Sequence, residues 1–143
     1  MKQIHILLVE DNEGDIYLTT EALEAGKIVN KVSVARDGKL AIDFLEKRAP
    51  YLDAELPDLI LLDVNLPKKN GHEVLRYIKE SPKLKYIPVI MLTTSSSEKD
   101  ILESYQQYAN CFITKPVEVD SFFKVVSSIQ NFWISIVKLP NQP

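Results

Sequence analysis

The chain of 143 residues has one cysteine, a net charge of only −3, and no apolar run near the length of a membrane span. Cys111 has no intrachain partner, so no disulfide framework holds the fold, and its apolar setting (CFIT) reads as a small buried hydrophobe. The mild charge offers no bulk field for attracting nucleic acid. A spanning helix needs roughly 20 apolar residues, whereas the N-terminal run HILLV gives way at once to Glu10 and Asp11. That stretch also lacks a small-residue cleavage site. It therefore reads as a strand and not a signal segment, and the cytoplasm is the expected compartment. Internal repeats, low-complexity tracts and domain linkers are missing as well. This length and a hydrophobic content of 45% support one domain with a sizeable core.

What is present is an alternation. The runs HILLV (5–9), VNKVSVA (29–35), LILL (59–62), PVIML (88–92) and CFIT (111–114) are separated by amphipathic segments. Four of them are apolar at successive positions, as parallel strands covered on both faces should be. In 29–35, Val32 and Val34 alternate with polar residues, which suits a strand nearer an edge. Helical patterns occupy 14–26 (Ile16, Thr20, Leu23), 38–48 behind an Asp37 N-cap, and the stretch after Asn70 and Glu73, which have capping-box spacing. A more polar stripe covers 98–109, and 49–57 reads as a loop. Right-handed crossovers turn this order into an α/β fold, a doubly wound, five-stranded parallel sheet with helices on both faces.

The last helical segment carries Phe122, Val126, Ile129, Trp133 and Ile136 at steps of four and three, a heptad-like seam. Val119, Phe123, Val125 and Phe132 widen the apolar surface beyond what one sheet face needs. Either a broad buried stripe or a surface for a partner chain accounts for it. Beyond, VKLPNQP cannot continue a helix. Residues 1–133 thus read as the domain and 134–143 as a tail.

Four strands end in the residue types that phosphoryl chemistry uses: Glu10 and Asp11, Asp63, Thr93, and Lys115. In open parallel sheets, ligands bind outside the carboxyl ends of the strands. A carboxylate nucleophile such as Asp63 must stand at a strand end, open to solvent. Glu10 and Asp11 would repel it across a shared crevice unless a cation lies between them, and Mg²⁺, a hard ion bound by carboxylates, phosphate and water, suits the donors. The backbone carbonyl of Asn65, just past the strand, is a further candidate ligand. Catalysis of phosphoryl transfer is mostly positioning and charge neutralisation, for which the Lys115 ammonium and the Thr93 hydroxyl are the available groups.

The stretches VEDN, LILLDVNLPKKNG, PVIMLTT and FITKP resemble the signatures of CheY-like receiver domains of two-component response regulators, over residues 4 to about 130. The resemblance implies a flavodoxin-like (βα)5 fold, and a phosphoacceptor aspartate, Asp63, served by a partner histidine kinase in a Mg²⁺-dependent transfer. It implies metal binding by Glu10, Asp11, Asp63 and the Asn65 carbonyl, a switch pair Thr93 and Phe112, phosphate contact by Lys115, and a cis peptide before Pro116. It also implies signalling through protein–protein contacts without a DNA-binding output domain, and no turnover substrate. Two positions depart from the commonest pattern: Glu10-Asp11 in place of two aspartates, and Thr94, bulkier than the usual small residue. Asn65 and Ser95 flank the approach of hydrolytic water and are expected to tune the phosphoryl lifetime.

A narrower resemblance, carried by the 47–57 insert, LPKKNG, TTSSS and NFWISIVKLP, is to the single-domain regulators that partner bacterial phytochrome kinases. In that subgroup the C-terminal extension joins homodimer contacts, which implies a dimer through the fourth helix, fifth strand, last helix and tail.

Other classes fit less well. An aspartyl-phosphate phosphohydrolase needs a general acid where Asn65 stands, and a cap insertion is missing. A flavin carrier of similar architecture needs a Ser/Thr/Gly-rich phosphate cradle, whereas the first turn here is EDNEGD. A receiver-like scaffold that is never phosphorylated would not need the intact set. His72 reads as a solvated or capping residue at a helix start, and His5 as a packed strand residue.

Overall fold

In the computed structural model, residues 4–25, 29–93, 111–120 and 122 are described. Five strands, β1 (Ile4–Val9), β2 (Val29–Ala35), β3 (Leu59–Asp63), β4 (Val89–Thr93) and β5 (Cys111–Thr114), form one sheet in the order β2-β1-β3-β4-β5. All four pairings are parallel. This is the flavodoxin-like order, with its switch point between β1 and β3. The alternating run 29–35 is the edge strand next to β1, as its pattern suggests.

Continuous apolar runs sort their side chains to opposite faces by the two-residue period of a strand. Leu7, Val9, Ile60, Leu62, Val89 and Met91 pack on one face with Ala41, Phe44 and Leu45 of α2 (Gly38–Leu45) and Val74, Leu75 and Ile78 of α3 (Gly71–Glu80). Ile6, Leu8, Leu59, Leu61, Ile90, Leu92 and Ile113 pack on the other with Leu23 of α1 (Glu13–Ala25) and Phe122. Both faces are therefore covered. This explains why β1, β3 and β4 are buried along their whole length.

The helices follow their caps. Asp37 accepts the Leu40 amide at 2.7 Å and opens α2. Asn70 and Glu73 form the reciprocal capping box that opens α3. Helix α2 stops at Leu45, earlier than the apolar pattern to 48 suggests, because Lys47 takes a left-handed backbone (φ 56°) and ends the hydrogen-bond ladder. In α1 the buried threonine is Thr19, with Thr20 at the margin; both lie within a turn of Leu23, and spacing alone does not separate them. His5 packs as a strand residue, its Nε2 2.9 Å from Ser33 Oγ and its ring edge-on to Phe44.

Backbone is helical at residues 119, 120 and 122, where the Phe122 amide donates to the Glu118 carbonyl at 2.9 Å. The helical segment at 98–109, the rest of the last helix, the tail and the Cys111 side chain lie outside the described residues. Among the described residues no helix is long and apolar enough to cross a membrane.

Candidate functional site

The site lies at the carboxyl ends of β1, β3, β4 and β5. Asp63 closes β3 with its side chain 4% exposed, beside Glu10, which follows β1 and is fully buried. Lys115 follows β5, and its amide donates to the Thr93 carbonyl at 2.7 Å, fixing the loop against the end of β4. From there the side chain reaches inward. Its Nζ donates to Glu10 Oε1 at 2.9 Å, Asp63 Oδ2 at 3.1 Å and Asp15 Oδ2 at 2.9 Å. All three ammonium hydrogens are thereby used. The Lys115–Pro116 peptide is cis.

The other oxygen of Glu10, Oε2, accepts the amides of Asp11 at 3.1 Å and Asn12 at 3.3 Å, so the 10–12 turn wraps around the buried carboxylate. Asp63 Oδ1 accepts the Asn65 amide at 3.1 Å. Glu10, Asp11 and Asp63 each offer a carboxylate oxygen within 4.8 Å of the others, and Asp11 is open to solvent. These are hard oxygen donors gathered around one point, the kind a divalent cation prefers, with an open side for water. The cluster fits a metal. Two buried walls and one exposed ligand leave it an entry path.

The electrostatics are those of crowded carboxylates. Burial, then the hydrogen-bonding and charged neighbour Asp63, push the Glu10 carboxyl above its ordinary value, while Lys115 pulls it down. Burial works against the Lys115 ammonium, but hydrogen bonds to Glu10, Asp15 and Asp63 outweigh it and raise its pKa above the ordinary lysine value. Lys115 is therefore firmly cationic.

Local packing holds Asp63 in place. After β3 the chain passes through Lys68 in a left-handed turn and returns, with the Gly71 amide donating to the Val64 carbonyl at 3.0 Å. A Cβ at Gly71 would lie 2.2 Å from the Asp63 carbonyl oxygen, so only glycine permits this approach. Gly38, at the start of α2, has the same relation to the Lys69 carbonyl, at 2.1 Å. The turn that follows the nucleophile candidate is thus clamped from two helix starts.

Among the other expected residues, Thr93 is buried at the end of β4, one position past the Leu92 that pairs with Asp63. Phe112 is half-buried against the α2/α3 face, paired in register with Met91. His72 is half-buried in the first turn of α3, next to Gly71. Thr94 and Ser95 lie outside the described residues. Sequence reasoning missed Asp15. The signal was available: Asn12 accepts the Asp15 amide at 2.9 Å, so Asn12 is the N-cap of α1 and Asp15 its third residue. Reading that cap would have turned Asp15 toward the crevice.

A parallel α/β sheet with buried carboxylates, a carboxylate set fit for a metal and a lysine at its strand ends defines a class, that of receiver-type phosphoacceptor domains. The response regulator receiver domain model matches residues 6–127, and the chain belongs to that family. It is 46% identical over 135 residues to the response regulator Rcp1 of Synechocystis sp., covering 94% of this chain and 92% of that protein. The Mn²⁺-bound form of Rcp1 superposes with a TM-score of 0.75 at 45% identity, covering 91% of this chain and 94% of that one. The bacteriophytochrome response regulator AtBRR superposes with a TM-score of 0.82 at 44% identity, covering 91% and 94%. The phosphorylated cyanobacterial phytochrome response regulator RcpA gives 0.77 at 47% identity, covering 93% and 95%. The chain is a receiver-domain response regulator of two-component signalling, homologous to phytochrome response regulators.

Proposed function

We propose that Asp63 is the phosphoacceptor and takes its phosphoryl group from the phosphohistidine of a phytochrome-like histidine kinase. One observation carries this reading: Asp63, the carboxylate that ends β3, lies 3.1 Å from a buried ammonium and within 4.8 Å of two further carboxylates. An Asp63 carboxylate oxygen attacks phosphorus, the new O–P bond forms as the P–N bond to the donor imidazole breaks, and the electron pair returns to the ring nitrogen, which takes up a proton. Glu10, Asp11, Asp63 and the Asn65 carbonyl would hold Mg²⁺, which when bound offsets charge on the phosphoryl oxygens. Lys115 supplies a point charge to a second oxygen. The Asn65 amide already orients the carboxylate through Oδ1, leaving Oδ2 beside Lys115. The Thr93 hydroxyl turns toward the phosphoryl group, and Phe112 follows into the space beside it.

The output is a changed surface, not a released product, so the domain is a switch and turns over no substrate. It works in the cytoplasm on protein partners, as a homodimer through the fourth helical segment at 98–109, β5, the last helix and the tail at 134–143. Titanic stabilisation is unnecessary: reversing a 1:99 population takes about 5.5 kcal/mol.

The test is incubation with a small acyl phosphate donor, with and without Mg²⁺, followed by intact mass measurement. A single phosphoryl adduct that needs Mg²⁺ and disappears in Asp63→Asn is expected. No adduct, or one that survives the substitution, removes the reading.

A further inference from the structure

The Lys115 ammonium has three carboxylate partners, and they are not equivalent. Glu10 and Asp63 belong to the cluster whose oxygens lie within reach of one cation, whereas Asp15 does not. Cation binding and phosphoryl transfer both act on Glu10 and Asp63, so both change two of the ammonium's three acceptors. Asp15 alone stays as it is. It comes from a different element, the first turn of α1, and is fixed there: the Asn12 side chain holds its amide at 2.9 Å, and the Asn12 carbonyl accepts the Ile16 amide at 2.9 Å. The Asn12 amide in turn is bonded to Glu10 Oε2, so the anchor and the buried carboxylate share one turn. With its side chain 31% exposed, Asp15 closes the water side of an ammonium that is itself 8% exposed.

We propose that Asp15 is a positioning residue for phosphoryl transfer, acting through Lys115 as the one anchor that persists when the metal and the phosphoryl group arrive. The proposal rests on the phosphoacceptor reading of Asp63. Without Asp15, one ammonium hydrogen has no fixed acceptor and the long side chain regains rotamer freedom. Lys115 then spends less time over the phosphoryl position. Charge-assisted hydrogen bonds are the stronger kind, but this one is part-exposed and screened. Its loss should lower the maximal phosphorylation rate about tenfold, which corresponds to about 1.4 kcal/mol of lost transition-state stabilisation.

The experiment uses the full chain and compares wild type with Asp15→Asn and Asp15→Ala. The first readout is the ¹⁵N–¹H signal of the Lys115 ammonium in metal-free protein, assigned by its absence in Lys115→Met. The second is the adduct rate with a small acyl phosphate across a Mg²⁺ titration. Asp15→Ala should lose the slowly exchanging ammonium signal and show about a tenfold lower plateau rate, with half-saturating Mg²⁺ within about threefold of wild type, and Asp15→Asn, whose amide oxygen still accepts a weaker neutral bond, should fall between. Asp15 gives the Asn12 cap only its backbone amide and its side chain is part-exposed, so both substitutions leave the start of α1 intact. Retention of signal and plateau rate in Asp15→Ala overturns the proposal. So does a lower rate that added Mg²⁺ fully restores, because Asp15 would then act on the metal and not on Lys115. A wild-type chain that takes no phosphoryl group sinks the phosphoacceptor reading, and the ammonium signal still decides whether Asp15 anchors Lys115.

Discussion

Asp63→Asn should make the metal-free protein more stable, although it removes the central residue of the site. The substitution keeps the oxygen that accepts the Asn65 amide at 3.1 Å and deletes one negative charge from a side chain only 4% exposed. Lost is the attraction to Lys115 Nζ at 3.1 Å. Relieved is the repulsion from Glu10 and Asp11, whose oxygens lie within 4.8 Å. At an effective dielectric of about 20, the attraction is about 5 kcal/mol and each repulsion at least about 3.5 kcal/mol, leaving about 2 kcal/mol in favour of the variant. Lifting the burial cost of a carboxylate acts in the same direction, and Lys115 keeps Glu10 and Asp15 as partners.

Thermal or urea unfolding in EDTA should therefore show Asp63→Asn more stable by about 1–2 kcal/mol, or about 3 °C or more in Tm. In millimolar Mg²⁺ the gap should close or reverse, because a cation that binds only the folded state stabilises the chain that retains all its ligands. The pH dependence carries a matching sign. Glu10 is raised in the folded state, so it binds more protons there than when unfolded, and wild-type stability falls as pH rises through its titration. Asp63→Asn should flatten that slope. A variant less stable than wild type in EDTA would refute the reasoning, since it would mean that attraction to Lys115 outweighs the crowding.

Gly71→Ala should cost about 1–3 kcal/mol in urea unfolding, because its Cβ would lie 2.2 Å from the Asp63 carbonyl oxygen and 2.8 Å from Val64 Cα, both backbone atoms that must move. Mg²⁺ affinity should fall with it, and unchanged stability would contradict the clamped turn. Lys79, whose Nζ donates to the Lys85 and Ile87 carbonyls at 3.2 and 3.0 Å, is lowered by burial from 10.5 to about 8. Between these values the unfolded chain binds the extra proton, so this group adds stability as pH rises through that window. The stability of wild type relative to Lys79→Met should therefore increase between pH 8 and pH 10, and parallel urea profiles would count against it.

The strands were legible because their cause is local. A run such as LILLD must bury both faces, only a parallel sheet between helices buries both, and the polar residue that stops the run must then stand at the sheet's edge. The Asn70–Glu73 box and the Asp37 cap were legible for the same reason, since a cap bonds amides two or three residues away. Apolar periodicity is blind to where a ladder of hydrogen bonds stops, so the end of α2 at Leu45 and the choice of Thr19 over Thr20 were not.

The sequence by itself thus determined the fold class, the strand ends and the kinds of group they carry, because each follows from neighbours within a few residues. Only the tertiary structure decided which of those groups touch. Lys115 meets Asp15 across 100 residues of chain and Asp63 across 52, and nothing in the local pattern sets those distances. They follow from how the sheet brings β5 beside β4 and β4 beside β3, and from where the Asn12 cap aims the first turn of α1. Residue types are written in the chain, whereas the crowding that shifts their protons and makes a buried ammonium necessary exists only once the sheet has closed around them.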